Sequence, residues 1–397
     1  MNNKLPRVAI THGDTNGIGY ELILKALSEP EILEIMTPII YGTKKIADIY
    51  AEQLGLEYKC NIMKSADDVQ ENRINFMEVS SESVPVKIGT PTIESANMAA
   101  KALQKAIMDY TKGAFDVLVT APTVNDTLTE IKDLMASHSD ATEKDMAPMT
   151  LISNGAIATT SIAEKVTAEK AAEIVSEEDV IERAKVLHNT LRRDLSIDIP
   201  RIAILSFGDE VDSNEGSKDM TIIAPSIAKL RKEHIIAFGP ISAKDIFEQR
   251  NIAHFDGILG IYNGQVADKL TELFPDNCVI MYSGMPIAVT APTQEPSFEM
   301  AGKNAAYPDS MLKAIHTAVD IARNRHNYDT PRINPLPKLY HEHREDGDKA
   351  RFIPKKGFNP KEARAEREAR MRGELITKKE EQETNNEANN APATSEQ

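Results

Sequence analysis

The 397-residue sequence contains no tryptophan and only two cysteines, and aromatic residues make up just 5% of it. With so few rings, aliphatic side chains must do most of the packing, in a core that the 41% apolar content makes sizeable. Cys60 and Cys278 lie too far apart for a metal-binding pair and are too few for a disulfide framework, which points to a reducing compartment. No apolar run approaches the ~18 residues that would suggest a bilayer span. The opening MNNKLPRVAITHG enters a strand-like run without the apolar segment of a signal peptide. Basic residues are in deficit, 46 Lys+Arg against 61 Asp+Glu, for a net charge of −15. That sign argues against nucleic acid and an anionic membrane surface as main partners. These deficits predict a soluble, cytoplasmic protein whose length suits two to three domains, or one two-lobed unit plus a tail.

Catalytic signatures are scarce as well. There is no His-Glu-x-x-His, no Cys-x-x-Cys and no Gly-x-Ser-x-Gly. Ser-x-x-Lys occurs at Ser226/Lys229 and Ser310/Lys313, both in helix-like runs without companion motifs, and reads as helix surface. Histidines are scattered. His341 and His343 sit in a charged stretch, while His188 and His316 fall at helical packing positions, which leaves His138 in its ASHSD loop as the one of interest.

What is present is alternation. Strand-like runs at Val8–Thr11, Pro38–Tyr41, Ile74–Val79, Val117–Thr120, Met149–Ile152, Ala156–Ser161, Ile202–Ser206, Gly257–Ile261, Val279–Tyr282 and Ile287–Ala291 are interleaved with helix-period segments, among them Ser95–Tyr110, Val180–Leu191 and Ser310–Asn324. Such alternation predicts a mostly parallel α/β sheet with helices on its faces. The strand number exceeds one comfortable sheet, which predicts two lobes with a cleft between them. Residues 331–397 form a compositional unit of their own, with 14 Lys+Arg against 13 Asp+Glu, whereas the remainder carries −16. Pro331, Pro335 and Pro337 are expected to interrupt regular structure there. Asn359-Pro360 then reads as a helix cap before a solvated, charge-paired helix, followed by a polar, disordered end.

Between the first strand and first helix runs THGDTNGIGYE, Thr11 to Glu21. Glycines at such a junction let backbone N–H groups approach a phosphate or carboxylate, so Asp14, Asn16, Gly17 and Gly19 form a candidate anion-binding turn. A dinucleotide fingerprint would need a third glycine where Leu22 stands, and a P-loop would need a lysine after the glycines.

Together with VTAP (Val119–Pro122), ASHSD, IATTS (Ile157–Ser161), PRIAIL (Pro200–Leu205), FGP (Phe238–Pro240), GIYNGQ (Gly260–Gln265), GMPI (Gly284–Ile287) and EMAGKNAA (Glu299–Ala306), this segment follows the order of one family. The chain resembles the 4-hydroxythreonine-4-phosphate dehydrogenases, the PdxA family of pyridoxal phosphate synthesis, over about residues 5–328. It looks like a divergent member with a C-terminal extension. The resemblance implies a two-lobed α/β/α fold like that of the isocitrate and isopropylmalate dehydrogenases, with residues 1–140 and 288–330 in one lobe and 141–287 in the other. It also implies a homodimer, an interlobe cleft, NAD(P) as hydride acceptor, and a divalent metal on three histidines that polarises the substrate hydroxyl.

The residues that should carry that chemistry have changed. Ser161, Glu210 (in Gly208-Asp209-Glu210-Val211-Asp212) and Asn263 stand at the family's three metal histidines. Hydroxyl and amide groups are poor ligands for a divalent transition ion. Thr271, Ile280 and Val289 stand at the family's substrate-binding Lys, Asn and Arg, and Asn125 replaces another cleft lysine, removing the cations that hold a phosphate. The dinucleotide-associated Asp-His-Gly-Thr-Ala loop reads Thr293-Gln294-Glu295-Pro296-Ser297. His138 with Ser139 survives in place of a substrate-contacting His-Thr pair.

The expectation is a catalytically impaired or inactive homologue with no assigned cofactor (NAD(P) and a divalent metal if the family activity is kept), pairing with itself or with an intact paralogue. A small phosphorylated or carboxylate ligand remains open. The rival is an active NAD-dependent dehydrogenase and decarboxylase on 4-phosphohydroxythreonine or a related hydroxy acid, using an acidic, magnesium-like site from Asp209, Glu210, Asp212, His138 and Asp140. Intermediate between them is a metal-free module binding a small anion at Gly13–Gly19.

Overall fold

The computed structural model describes residues 5–80, 86–138, 146–247, 251–275 and 277–335, together with Ala365. The chain divides into two compact units, Met1–Pro335 and Leu336–Gln397. The second, including the helix expected after Asn359, lies outside the described residues apart from Ala365. Ser139 and Asp140 also lie outside them.

The strands are β1 (Arg7–Thr11), β2 (Thr37–Gly42), β3 (Cys60–Met63), β4 (Ile74–Glu78), β5 (Val117–Thr120), β6 (Met149–Ser153), β7 (Ala158–Ala163), β8 (Arg201–Leu205), β9 (Ile236–Ile241), β10 (Gly257–Tyr262), β11 (Val279–Ser283) and β12 (Val289–Pro292). The helices are α1 (Gly19–Leu27), α2 (Ile32–Ile35), α3 (Lys44–Leu54), α4 (Ile93–Tyr110), α5 (Thr127–His138), α6 (Ala168–Ile174), α7 (Glu177–Arg193), α8 (Ala224–Lys232), α9 (Ala243–Phe247), α10 (Ala267–Leu273) and α11 (Asp309–Ile333).

All twelve strands join one continuous sheet in the order β3-β4-β2-β1-β5-β12-β11-β6-β7-β10-β8-β9. Pairing is parallel except at the centre, where β12–β11, β11–β6 and β6–β7 run antiparallel. The strands from residues 7–120 plus Val289–Pro292 occupy one half of this order, and those from residues 149–283 the other. Strands buried on both faces carry the apolar runs: β2 and β5 are buried throughout. Val117 and Val119 point to a core shared with α1 and α11, whereas Leu118 packs with Leu103 and Ile107 of α4 on the opposite face.

Several expectations are corrected. β3 and β9 carry weak signals because they are the sheet's edges: CNIM is short and only Met63 in it is buried, and β9 contains Gly239-Pro240. β7 starts at Ala158, not Ala156, because the Asn154 side-chain oxygen accepts from the backbone N–H groups of Ala156 and Ile157, each at 3.0 Å, and makes them the hairpin turn. α11 continues past Asn324 and through Pro331 to Ile333. Its last turns are held from outside by Arg193 of α7, which grips both Asp329 oxygens at 2.6–3.1 Å, and from within by the Arg332 guanidinium, 3.5 Å from the centroid of the Tyr328 ring.

Candidate functional site

The parallel strands β1, β5, β7, β8 and β10 bring their carboxyl ends, where α/β folds place ligands, to the residues that carry the expected chemistry. The glycine-rich turn leaves β1 here and is buried throughout. Gly13 has φ +65°, and a Cβ there would stand 2.2 Å from the Pro122 carbonyl oxygen, which also accepts from Asp14 N at 2.9 Å. Only glycine permits this approach of the first turn to the end of β5. The turn's own amides are engaged: Asn16 N donates to Asp14 Oδ1 (2.9 Å), Gly17 N to the Asp14 carbonyl (3.2 Å) and Ile18 N to the Pro296 carbonyl (2.9 Å). The Asn16 side chain reaches away, donating to Thr90 O and accepting from Lys87 N. Gly19 lies so close to the His12 carbonyl that a Cβ would meet it at 2.1 Å.

Below the turn, the His12 ring stacks on Tyr20 with 5.1 Å between centroids, and burial pulls its pKa down to about 4 despite a bond to the Gly13 carbonyl. Thr293-Gln294-Glu295-Pro296-Ser297 lies on the same turn: Pro296 O would be 2.7 Å from a Gly17 Cβ, and Thr293 N is fixed by Ser310 Oγ at 3.0 Å. Among Thr11, Gly13, Thr120, Asn125 and Glu130 there remains a cavity of about 10 Å³, room for about one water. Asn125 donates its amide to the Ala96 carbonyl at 3.2 Å.

Across the sheet, β7 pairs with β10 so that Ser161 faces Gly260, and the chain leaving β10 returns Asn263 to it. Ser161 is 1% exposed, and its hydroxyl donates to Asn263 Oδ1 at 2.5 Å. Glu210 is exposed on the loop after β8. That loop is folded by the buried Asp219 carboxylate, which accepts from Phe207 N and Asp212 N at 2.9 Å each; Asp212 in turn accepts from the Asn214 backbone and side chain. No group of three or more His, Cys, Asp or Glu converges in metal-binding fashion among the described residues, so the acidic site expected from Asp209, Glu210, Asp212 and His138 is not assembled. His138 ends α5 exposed, its Nδ1 beside the Leu134 carbonyl at 3.0 Å.

The substrate-side positions serve the scaffold. The Thr271 hydroxyl turns back to the Ala267 and Asp268 carbonyls of its own helix. Ile280 lies half-buried in β11 opposite Ala291, and Val289 is a buried member of the core.

Two side chains absent from the sequence reading meet here. Asp126, next to Asn125, forms an ion pair with Lys165, just beyond β7, joining the two halves of the sheet. Partial burial works against the ionised Asp126, but Lys165 and Thr129 outweigh it and hold the carboxyl below its ordinary range. Beside them, burial pushes the Tyr282 pKa up to about 12, aided by Asp126 and Glu164 and opposed by a bond with Thr127. No local pattern in the sequence signals a pair so far apart.

The family described as pyridoxal phosphate biosynthetic protein PdxA matches residues 34–318. A 4-hydroxythreonine-4-phosphate dehydrogenase of Bacteroides thetaiotaomicron is 33% identical over 360 residues, covering 88% of this chain and 98% of that relative. The chain belongs to the PdxA family. A further PdxA relative, the enzyme of that name from a Sulfurihydrogenibium species, is 27% identical over 328 residues, 80% of this chain and 99% of the relative. Solved structures of 4-hydroxythreonine-4-phosphate dehydrogenases from Klebsiella pneumoniae (TM-score 0.67, 20% identity) and Burkholderia phymatum (TM-score 0.65, 19% identity) each cover 80% of this chain and are themselves covered to 99%. They establish the α/β fold of the isocitrate/isopropylmalate dehydrogenase type. Against the metal that a PdxA fold implies, the donor set here does not fit. Ser161 and Asn263 satisfy one another as neutral partners, and the carboxylate expected to join them is exposed on its own loop.

Proposed function

We propose that this PdxA homologue keeps the family scaffold but has lost, or largely lost, the metal-dependent oxidation of 4-phosphohydroxythreonine, and acts as a binding or partner protein. The observation that carries the reading is the 2.5 Å bond between Ser161 and Asn263, two of the three positions where the family resemblance calls for imidazole. Two histidines would offer lone pairs to a cation, whereas the serine here turns its proton onto the amide oxygen. The side chains at the substrate positions Thr271, Ile280 and Val289 bring no cation, and the loop at the dinucleotide position packs through Pro296 onto the glycine-rich turn. These features weigh together against tight binding of NAD(P) and a phosphorylated hydroxy acid.

Lobes formed by residues 1–140 with 288–330 and by 141–287 are consistent with the division of strands between the two halves of the sheet. A dimer, with a second copy or an intact paralogue, is the pairing suggested by a groove of about 440 Å³ of mixed polarity, lined by Met146, Pro148, Ile162, Ile174 and Val186 with Asp179, Glu182 and Arg183. No described helix is long and apolar enough to cross a membrane, and both cysteines are free, as suits a cytoplasmic setting. The deciding assay mixes the purified protein with NAD+, 4-phosphohydroxythreonine and Mg2+, Mn2+, Co2+ or Zn2+ in turn. NADH formation should stay at or barely above the protein-free background; sustained turnover, many cycles per minute with any of these metals, would overturn the reading and favour the active dehydrogenase. Light scattering and co-purification with an active relative report the pairing.

A further inference from the structure

Beneath the glycine-rich turn lies a buried cluster with many oxygens and few protons. Asp14 is 1% exposed; its Oδ1 accepts from Asn16 N, while Oδ2 has no hydrogen-bond partner among the described residues. Glu21, fully buried, accepts at Oε1 from Lys25 Nζ (2.8 Å) and Ala306 N (2.9 Å), and its Oε2 is likewise without a partner among the described residues. The Tyr50 hydroxyl has one proton for two carbonyls, Gly17 O at 2.8 Å and Thr15 O at 3.1 Å, so one of them is left under-bonded. Asp14 belongs to the same turn as the Thr15 and Gly17 carbonyls that meet this phenol, and Glu21 follows in the first turn of α1; after burial, Asp14 and then Glu21 raise the phenol's pKa.

Charge does not balance there. Lys25 answers Glu21, but Asp14 has no ion pair among the described residues. His12 does not supply the missing charge, because its ring is turned to the Gly13 carbonyl and stacked on Tyr20. A buried carboxylate without a counter-charge is costly, and the unpartnered carboxylate atoms of Asp14 and Glu21 are oxygens, the ligand type of hard cations.

We propose that a monovalent alkali cation, Na+ or K+, binds under the turn between Asp14 Oδ2, Glu21 Oε2 and the oxygens around Tyr50. One uncompensated negative charge selects a monovalent ion, since a divalent one would leave an excess positive charge among the same buried groups. The ion would brace the turn independently of whether the cleft catalyses anything.

Thermal unfolding of the full chain in NaCl, KCl and choline chloride at equal ionic strength tests this. The midpoint should rise by several degrees in one of the alkali salts relative to choline. Asp14→Asn, which keeps the bond to Asn16 N, should lose that difference, while Asp198→Asn on the exposed surface should keep it. Equal midpoints of the parent protein in all three salts would overturn the proposal. So would a midpoint that ignores the cation but falls as pH rises, which would identify a proton held by Asp14. Should the Asp14 variant fail to fold, crystals of the parent protein soaked in thallium(I) decide: an anomalous peak in contact with Asp14 and Glu21 supports the site, and its absence refutes it.

Discussion

Ser161 illustrates how one side chain redirects a site. Its hydroxyl is buried and has Asn263 Oδ1 as acceptor, so Asn263→Ala should strand a buried donor and cost about 1–2 kcal/mol. Ser161→Ala should cost a similar amount. The double variant should fall short of the sum, because the two residues satisfy each other; urea unfolding of all four proteins measures that coupling, and additivity would show that the bond contributes nothing. Gly13 is a stricter case. With φ at +65° and the Pro122 carbonyl where a Cβ would stand, Gly13→Ala should destabilise by upwards of about 2 kcal/mol, read as a lowered denaturation midpoint.

Between elements, α7 and α11 are fastened at their ends. The Arg325 guanidinium contacts both oxygens of Asp194, at 2.7 and 2.9 Å, and donates to the Pro286 carbonyl, with both side chains nearly buried. Arg325→Ala leaves Asp194 buried without its charge partner and should cost about 3–5 kcal/mol by chemical denaturation. α7 also carries a titrating group: burial, and then the neighbouring Arg192, hold the His188 pKa below its ordinary 6.5. The unfolded chain therefore takes up this proton first as pH falls, and folding stability should decline below about pH 6.5. In His188→Gln the slope of unfolding free energy against pH between 6.5 and 5.5 should be shallower; an unchanged slope would remove His188 from the account.

For the whole molecule, Met1–Pro335 is a compact unit by itself; among the described residues the buried core members extend no further than Ile321, and α11 ends with Ile333 exposed. A chain stopped after Pro335 should thus unfold cooperatively with a midpoint within a few degrees of the full protein, as calorimetry would report. The interior strands were legible because they are buried on both faces and read as apolar runs bounded by turns. The edge strands β3 and β9 were not, since an edge needs only part of that pattern. The glycine-rich junction, too, could be located from spacing, although not the engagement of its amides by Asp14 and Pro296.

Alternation of apolar runs, the order of motifs and the residues at the family's metal and phosphate positions determined fold class and kinship, because periodicity and residue chemistry are local properties of the chain. Which of those residues meet was decided only by the tertiary structure. Register between β7 and β10 brings Ser161 to Asn263, the sheet's strand order brings Asp126 to Lys165, and burial leaves Asp14 without a counter-charge. Each depends on groups distant in sequence coming within a few ångströms, or on their removal from water, and neither is encoded in spacing along the chain.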